Sequence, residues 1–573
     1  MKTPKKGDVV WAGYPTAHVF NYARNSKSKK LKLSRIKHLL WGDWVKVTDY
    51  SYAKDPKADL KSSAEKSQTS KTPAKMVPVR VRGVSGYMFV EDLQPNKLLE
   101  IVFVDVGQGD GALMVTPDDK KYVIDAGVGD NMYRYLKWRF AGFKSDTDFD
   151  GFIITHPDQD HYFGFSDVVN DPNVTAQTIW HNGIVEQFGV SSSGKQSSAK
   201  SVLLGKTKTV QGQKYLTGLI ETDKDLRDLL KDPKRWIKQT TGNPKRFPGL
   251  LNDAVTAKNA GKRRFPNIQM LSTKHGEIHP EGSFLPGYGP DNVDGCNIQI
   301  LGPVVEDIAG SSAFRTFSKK PKLTTTQLDT GKTKNGHSVL LKLNYKDVSV
   351  LFGGDLNSSA EMFLLGHYTG LPVYDSTLVR TDEVVEAAKP TFRVDIAKSC
   401  HHGSADFTDH FLESVNAAAT VISSGDNESH AHPRSDTLGA LGHHGRGARS
   451  LIFSTELSRS TNEFTNREDS PWYQGAQLKA KAEAETDAAK KATLLKEAEG
   501  KFELDRKRNV TVYGAINIRS DGEKVVLAYM LEKPSNSRRW DVYTLESTSG
   551  GALQYKNVKD AEKNEAKRRK KRR

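Results

Sequence analysis

Thr155-His156-Pro157-Asp158-Gln159-Asp160-His161 closes the apolar run Phe152-Ile153-Ile154, so two imidazoles and two carboxylates arrive within six positions of one strand end. Core packing has no use for ionisable groups at that density, because each would have to be desolvated. Neutral imidazole and carboxylate are the ligands that hold hard or borderline divalent cations, and the spacing predicts a two-metal hydrolytic centre. The competing reading is a polar strand-to-helix turn with an aspartate as its N-cap.

Other strand ends carry similar residues. His337 follows Asn335-Gly336 and opens the apolar run 338–343, while Asp355 ends the run 348–352 after Gly353-Gly354. The interval between them has the length of one hairpin, which returns the chain to the same end of its sheet. His401 and His402 follow the run 394–399, with Gly403-Ser404 opening a turn. Strand ends along one edge of an α/β sheet are where ligands converge. The runs 99–104, 113–115, 122–127 and 150–155 read as further strand-to-loop units, and helices are expected at 131–141, 222–231, 358–366 and 407–416. That alternation predicts a layered α/β domain. Residues 183–295 break the rhythm and read as a large insertion. Residues 475–500, dominated by Ala, Lys and Glu, read as a surface helix within a second insertion at 460–508. Strands resume at 510–518 and 525–531.

Taken in order, "FVDVGQGDGALMV" (103–115), "YVIDAG" (122–127), "THPDQDHYFGF" (155–165), "NGHSVLLKL" (335–343), "VLFGGD" (350–355) and "KSCHHGS" (398–404) resemble the metallo-β-lactamase superfamily. More narrowly they are similar to the hydrolase domain attached to ComEC/Rec2-type DNA-uptake channels. The resemblance covers 98–455 without the insertion, and the strands at 513–529. It implies an α/β fold, a four-layered αββα sandwich over 98–540, with a dinuclear metal site at one edge. Carried over residue by residue, it implies His156, Asp158 and His337 on a first ion and Asp160 and His161 on a second. Asp355 would bridge the two, and His401 would complete the second, with His402 as the alternative. Asp125 would orient ligands from behind. Asp105, Gln108 and Asp110 lie near the same edge, in an orienting or a turn-forming role. Asp160 and His432 are the candidates for a catalytic role, His432 by touching a substrate phosphate or protonating a leaving group. Asp158 stands where many members have histidine, and the extra carboxylate makes manganese plausible beside zinc. His181, His443 and His444 match no motif.

Ahead of this domain, residues 1–95 read as a small all-β module that weakly resembles a bacterial SH3-type barrel, interrupted by a Lys/Ser-rich flexible stretch at 53–76. Charge is divided unevenly. Residues 1–80 hold 18 Lys and Arg against 6 Asp and Glu, and 567–573 are all basic, whereas 81–566 hold 60 against 63. Polybasic ends on a near-neutral body suit a polyanion, since each neutralised phosphate releases counterions. The expected partner is therefore DNA or RNA, bound through the N-terminal module and a basic tail at 541–573, with a protein partner for the SH3-like module as a further option. No run is apolar and long enough to span a membrane. Two cysteines, Cys296 and Cys400, and the absence of a secretory leader point to a reducing, cytoplasmic setting.

The expected function is a metal-dependent phosphodiesterase or nuclease with two divalent ions, zinc or manganese, activating water without a protein nucleophile. By analogy it would serve phage defence or DNA processing in a bacterium. The alternatives are hydrolysis of a small phosphodiester or nucleotide signal, a nucleic-acid or partner-binding protein with a structural metal site, and ester, lactone or lactam hydrolysis.

Overall fold

Leu99–Phe103, Gly111–Val115 and Lys121–Ala126 are buried along almost their whole length. Strands of this kind, unlike alternating ones, need cover on both faces. The computed structural model, which describes residues 3–24, 31–48, 76–318, 328–373, 382–425, 430–459, 471–507, 510–547 and 551–555, shows what covers them. They lie in the middle of a ten-stranded mixed sheet whose order runs from Asn267–Met270 through Val174–His181 and Thr147–Ile154 to the central three, then on to Ile516–Ser520, Val525–Met530, Trp540–Ser547 and Leu553–Tyr555. A second, eight-stranded sheet contains Cys296–Gly302, Leu340–Tyr345, Val348–Phe352, Ile396–Lys398, Ala419–Ile422 and Leu451–Ser454.

One apolar core joins the sheets face to face, with Ile101, Phe103 and Ile153 from one side meeting Ile298, Leu341, Val350 and Phe352 from the other. Phe103 and Phe352 have ring centroids 5.9 Å apart. A second core packs helices Asn131–Arg139, Phe165–Asn170 and Arg246–Thr256 on the outer face of the ten-stranded sheet. A third packs Ser358–Thr369, Asp382–Phe392 and Asp409–Val415 on the outer face of the other. Each fully buried large apolar side chain in these layers contributes roughly 1.5–3 kcal/mol.

Three expectations about boundaries change. Residues 183–295 are woven into the fold: Asn267–Met270 pairs in parallel with Val174–His181, Gly282–Phe284 pairs with Cys296–Gly302, and Leu226, Leu229 and Leu251 enter a main core. Their scattered Gly, Lys and Pro conceal edge elements too short to show periodicity. The segment expected as a tail contributes Trp540–Ser547 and Leu553–Tyr555 to the ten-stranded sheet; 556–573 lie outside the described residues. The surface helix is two antiparallel helices, Pro471–Ala484 and Ala488–Lys507. The break falls at Asp487, whose carboxylate accepts from the backbone N–H groups of Ala489 and Lys490 at 2.9 Å and so caps the second helix.

The N-terminal residues form a seven-stranded antiparallel sheet around Val10, Val19, Leu39, Val45, Val79 and Met88. Its strand Leu31–Leu40 was hidden by Lys32, Arg35 and Lys37, and its partner Thr16–Arg24 was not anticipated either. Of the 53–76 stretch, only Met76 falls within the described residues. The module is fastened to the sandwich by Trp41, which belongs to the large domain's core, and by the backbone N–H of Arg539, which donates to His38 Nδ1 at 2.9 Å. Among the described residues no helix is long and apolar enough to cross a membrane.

One buried acid makes stability depend on pH. Glu361 is wholly buried on helix Ser358–Thr369, and although Thr408 donates its N–H (2.6 Å) and hydroxyl (2.9 Å) to the carboxylate, burial raises its pKa from 4.5 to about 8. The folded chain therefore keeps a proton that the unfolded chain releases near pH 4.5. This contribution is fully present below about pH 4.5 and is lost as pH rises to about 8. Glu361→Gln keeps the acceptor oxygen and removes the ionisation. It is expected to flatten urea-midpoint profiles between pH 5 and 8 and to raise stability at pH 8 by about 1–3 kcal/mol. A profile as steep as the parent's would contradict the assignment.

Candidate metal centre

The opening motif sits where strand Thr147–Ile154 ends and the short helix Gln159–Tyr162 begins. Asp158 occupies the N-cap position, yet its carboxylate makes no capping bond; it meets Lys334 Nζ, which also pairs with Glu186 at 2.8 Å. A capping role for the side chain is thus excluded. The loop 105–110 supports the turn from below. Gly109 has φ +107°, and a Cβ there would lie 1.8 Å from the Asp160 carbonyl, so only glycine lets Asp110 N–H donate to that carbonyl at 3.1 Å.

Three histidines converge on one carboxylate. Nε2 of His156, His161 and His402 lie 3.9, 3.3 and 3.2 Å from Asp355 Oδ2. All three nitrogens are buried and none has a hydrogen-bond partner of good geometry. Asp160 approaches His161 Nε2 at 4.0 Å and His402 Nε2 at 3.7 Å. The sets His156/His161/Asp355 and Asp160/His161/His402 each bring their ligand atoms within 4.8 Å of one another.

The other ring nitrogens are occupied. His161 Nδ1 is 2.8 Å from Asp125, which also accepts from Thr155 N–H at 2.8 Å. His402 Nδ1 is 3.1 Å from Asp110 and 3.1 Å from the Ser423 carbonyl. His156 Nδ1 lies 3.3 Å from Ser338 Oγ, to which Asp355 N–H donates at 3.0 Å. Carboxylate or hydroxyl behind, bare nitrogen in front is the arrangement that orients imidazoles toward a cation.

The electrostatics agree. Burial alone would drive His161 and His402 neutral, but Asp355 with Asp125, and Asp355 with Asp110, outweigh it; His161 rises well above its ordinary range and His402 to about 10. Burial and the neighbouring His161 push His156 well below. Burial would raise Asp355, yet the surrounding imidazoles hold it well below the usual carboxylate range. A bound cation would take the place of those protons, and the donor set, imidazole plus carboxylate, fits a divalent ion.

Two expected ligands are placed differently. His337 ends helix Thr330–Gly336, and its ring stacks between Phe314 (4.2 Å) and Phe317 (4.9 Å). Its Nε2 donates to the Arg315 carbonyl at 2.7 Å, and burial lowers its pKa to about 4. The hairpin does return to the cluster, but Ser338, one residue on, makes the contact. His401 lies at the rim, its Nε2 3.9 Å from Asp355 and 3.4 Å from the Asn335 amide, while His402 is buried within. Both adopt left-handed backbone (φ 49° and 53°), a conformation costly for histidine and set by the tight turn after Ile396–Lys398.

Asp105 turns away to a buried ion pair with Arg459. Gln108, Asp158, Asp160, His401 and His432 line a cleft of about 480 Å³ opening over Asp355 and His402. His181 is fully buried and its Nδ1 accepts from Gly183 N–H at 3.0 Å. His444 pairs with Asp409 at 3.1 Å, on the helix face of the second sheet.

Sequence reasoning assigned no role to Lys398. It is 4% exposed, pairs with Asp110, donates to the Gly354 carbonyl at 2.8 Å and lies 3.8 Å from Asp355. A lone lysine inside the apolar strand Ile396–Lys398 was the available signal.

The adjacent histidines can be told apart in solution. His402→Ala is expected to weaken zinc binding more than about 100-fold in chelator competition, whereas His401→Ala should cost no more than the roughly 10–100-fold typical of outer partners. The reverse order would overturn the placement.

No family model matches the chain, and no curated protein matches it. Among solved structures it is similar to a long form RNase Z from yeast, with 10% identity and a TM-score of 0.22, over 67% of this chain and 40% of that one. The chain thus spans well under half of the structure it matches.

Proposed function

We propose that the chain is a metal-dependent hydrolase of the metallo-β-lactamase type that cleaves phosphodiester bonds in DNA or RNA. The observation that carries this reading is the convergence of three buried, partnerless Nε2 atoms on Asp355, with Asp160 beside them and an open cleft above. His156, His161, His402, Asp160 and Asp355 would hold two divalent cations, zinc or manganese, with Asp158 at the mouth. When bound, these supply Lewis acidity toward a phosphate ester. The chain's own groups do the rest. Asp125 and Asp110 hold the imidazoles in one orientation, Lys398 balances the buried carboxylates, and His432, its ring centre 5.6 Å from that of His401 across the cleft, would touch the substrate. The basic N-terminal residues and the presence of an accessory β-module favour a macromolecular substrate.

The cleft volume also suits a compact ligand, which supports a small nucleotide phosphodiester as the second reading. Labelled single- and double-stranded DNA and RNA, incubated with manganese or zinc, separate the two. Cutting that disappears in Asp160→Ala supports the nuclease. Four intact polymers beside hydrolysis of a chromogenic small phosphodiester would support the second reading and sink the first.

A further inference from the structure

At the edge of the sandwich opposite the metal cluster, the N-terminal module and the ten-stranded sheet enclose a groove of about 1150 Å³. Its floor is Glu100 at the start of Leu99–Phe103, Val115 at the end of Gly111–Val115, and Lys121 at the start of Lys121–Ala126. From Glu100 the strand runs about 10 Å to Phe103, at roughly 3.3 Å per residue, before the loop that carries Gln108 to the cleft, so the groove and the cleft are separate places.

Three features of its wall are unexplained by docking of the module. The first is charge: seven cationic side chains line it against three carboxylates. Arg139 and Arg519 share Glu100, at 3.2 and 2.5 Å. Arg82 takes Asp43 at 2.8 Å. Lys37 and Arg539 face the same spot, and among the described residues neither side chain forms an ion pair; the Arg539 guanidinium donates to Met530 Sδ at 3.3 Å. The second is mutual repulsion. Burial and the cations Arg539 and Arg82 lower the pKa of Lys37, and burial and Arg82 lower that of Arg539, outweighing the opposing pull of Asp43 on each. Unpaired cations held this close store electrostatic work that an anion would release. The third is aromatic: Trp44 is 49% and Trp138 40% exposed on this wall, and the Arg82 guanidinium lies 5.8 Å from the Trp138 ring. Indoles are seldom left in water, and flat rings among cations are what unpaired bases and their phosphates require.

We propose that this groove binds a single-stranded segment of nucleic acid, with Lys37, Arg82 and Arg539 on its phosphates and Trp44 and Trp138 stacking its bases. The groove acts as a hold on the strand away from the cleft. Duplex is disfavoured because its bases are stacked on one another and offer no face to the indoles. Binding stands on the groove alone; its consequence for catalysis rests on the nuclease reading above.

The test uses the full chain in EDTA, where nothing is cut, and follows a fluorescein-labelled single-stranded oligonucleotide by anisotropy. Trp44→Ala is expected to weaken binding about tenfold or more. Lys37→Gln is expected to reduce the slope of log affinity against log salt by about one. Trp44 is exposed and Lys37 half-buried, and an unchanged circular dichroism spectrum establishes that each variant is folded. In manganese, both variants should hydrolyse a small phosphodiester at the parent rate while losing efficiency on long single strands. Equal binding by parent and variants would overturn the groove, as would duplex binding as tight as single-stranded. Poly-aspartate that binds as tightly, with the same sensitivity to Trp44→Ala, would overturn it in favour of an acidic protein partner. Trp44-sensitive binding without polymer cleavage by the parent would sink the nuclease reading and leave the groove standing.

Discussion

Asp355→Ala is expected to abolish metal uptake and hydrolysis together. Among the described residues, Asp355 is the one carboxylate within 4 Å of Nε2 of His156, His161, His401 and His402 at once. Its removal leaves clustered buried imidazoles with no anion between them, so a dication placed there would be solvated by neutral donors and by Asp160 alone. Loss of about 4 kcal/mol of transition-state stabilisation corresponds to roughly a thousandfold in rate. The same variant should lose the stabilisation that bound metal confers, about 2.7 kcal/mol at a hundredfold excess over Kd. Elemental analysis of purified protein, thermal melts with and without added zinc, and phosphodiester turnover report the three effects separately. Full metal content in Asp355→Ala would show that the ions sit elsewhere, and the cluster would lose its standing as the active centre.

Lys398→Met is expected to destabilise the fold by about 3–5 kcal/mol, because it strands a buried carboxylate. Lys398 is held charged against burial by Asp110 and Asp355, and it ties Asp110 to the Gly354 carbonyl beside the ligand loop. Without it, Asp110 keeps the His402 Nδ1 contact at 3.1 Å and a longer one to His161 Nδ1 at 3.9 Å, and its carboxylate is no longer fixed behind the His402 ring. The double variant Lys398→Met/Asp110→Asn removes both charges and should recover much of the stability. Zinc affinity should stay depressed by about 10–100-fold in both, since the imidazole is no longer oriented. Urea midpoints give the first effect and chelator competition the second. A single variant within about 1 kcal/mol of the parent would mean that the lysine is not the partner that neutralises the site.

Much of the candidate centre was legible in the chain because many of its candidate ligands are local. His156, Asp158, Asp160 and His161 fall in one strand-to-helix turn, and a turn of fixed length places its side chains whatever surrounds it. Asp355 was legible for a related reason: a short antiparallel hairpin, Leu340–Tyr345 with Val348–Phe352, has to return to the edge it left. Buried strands such as Leu99–Phe103 announced a covered sheet by unbroken apolar character. What escaped depended on contacts distant in sequence. His337 looked like a ligand until Phe314 and Phe317, twenty-odd positions earlier, claimed its ring. His401 and His402 are the same letter twice, and only the left-handed turn against Pro433 and Ser423 decides which imidazole enters the core. Lys398 gained a role only when Asp110, nearly three hundred residues away, was folded beside it. The groove at the far edge belongs wholly to tertiary structure, since Trp44, Lys37, Trp138 and Arg539 are unremarkable one at a time. Periodicity and spacing thus establish strands, turns and the donor types within a turn, because those follow from backbone geometry over a few residues. The choice among equivalent side chains, and the pairing of charges across the molecule, follows from burial, and burial is a property of the assembled layers.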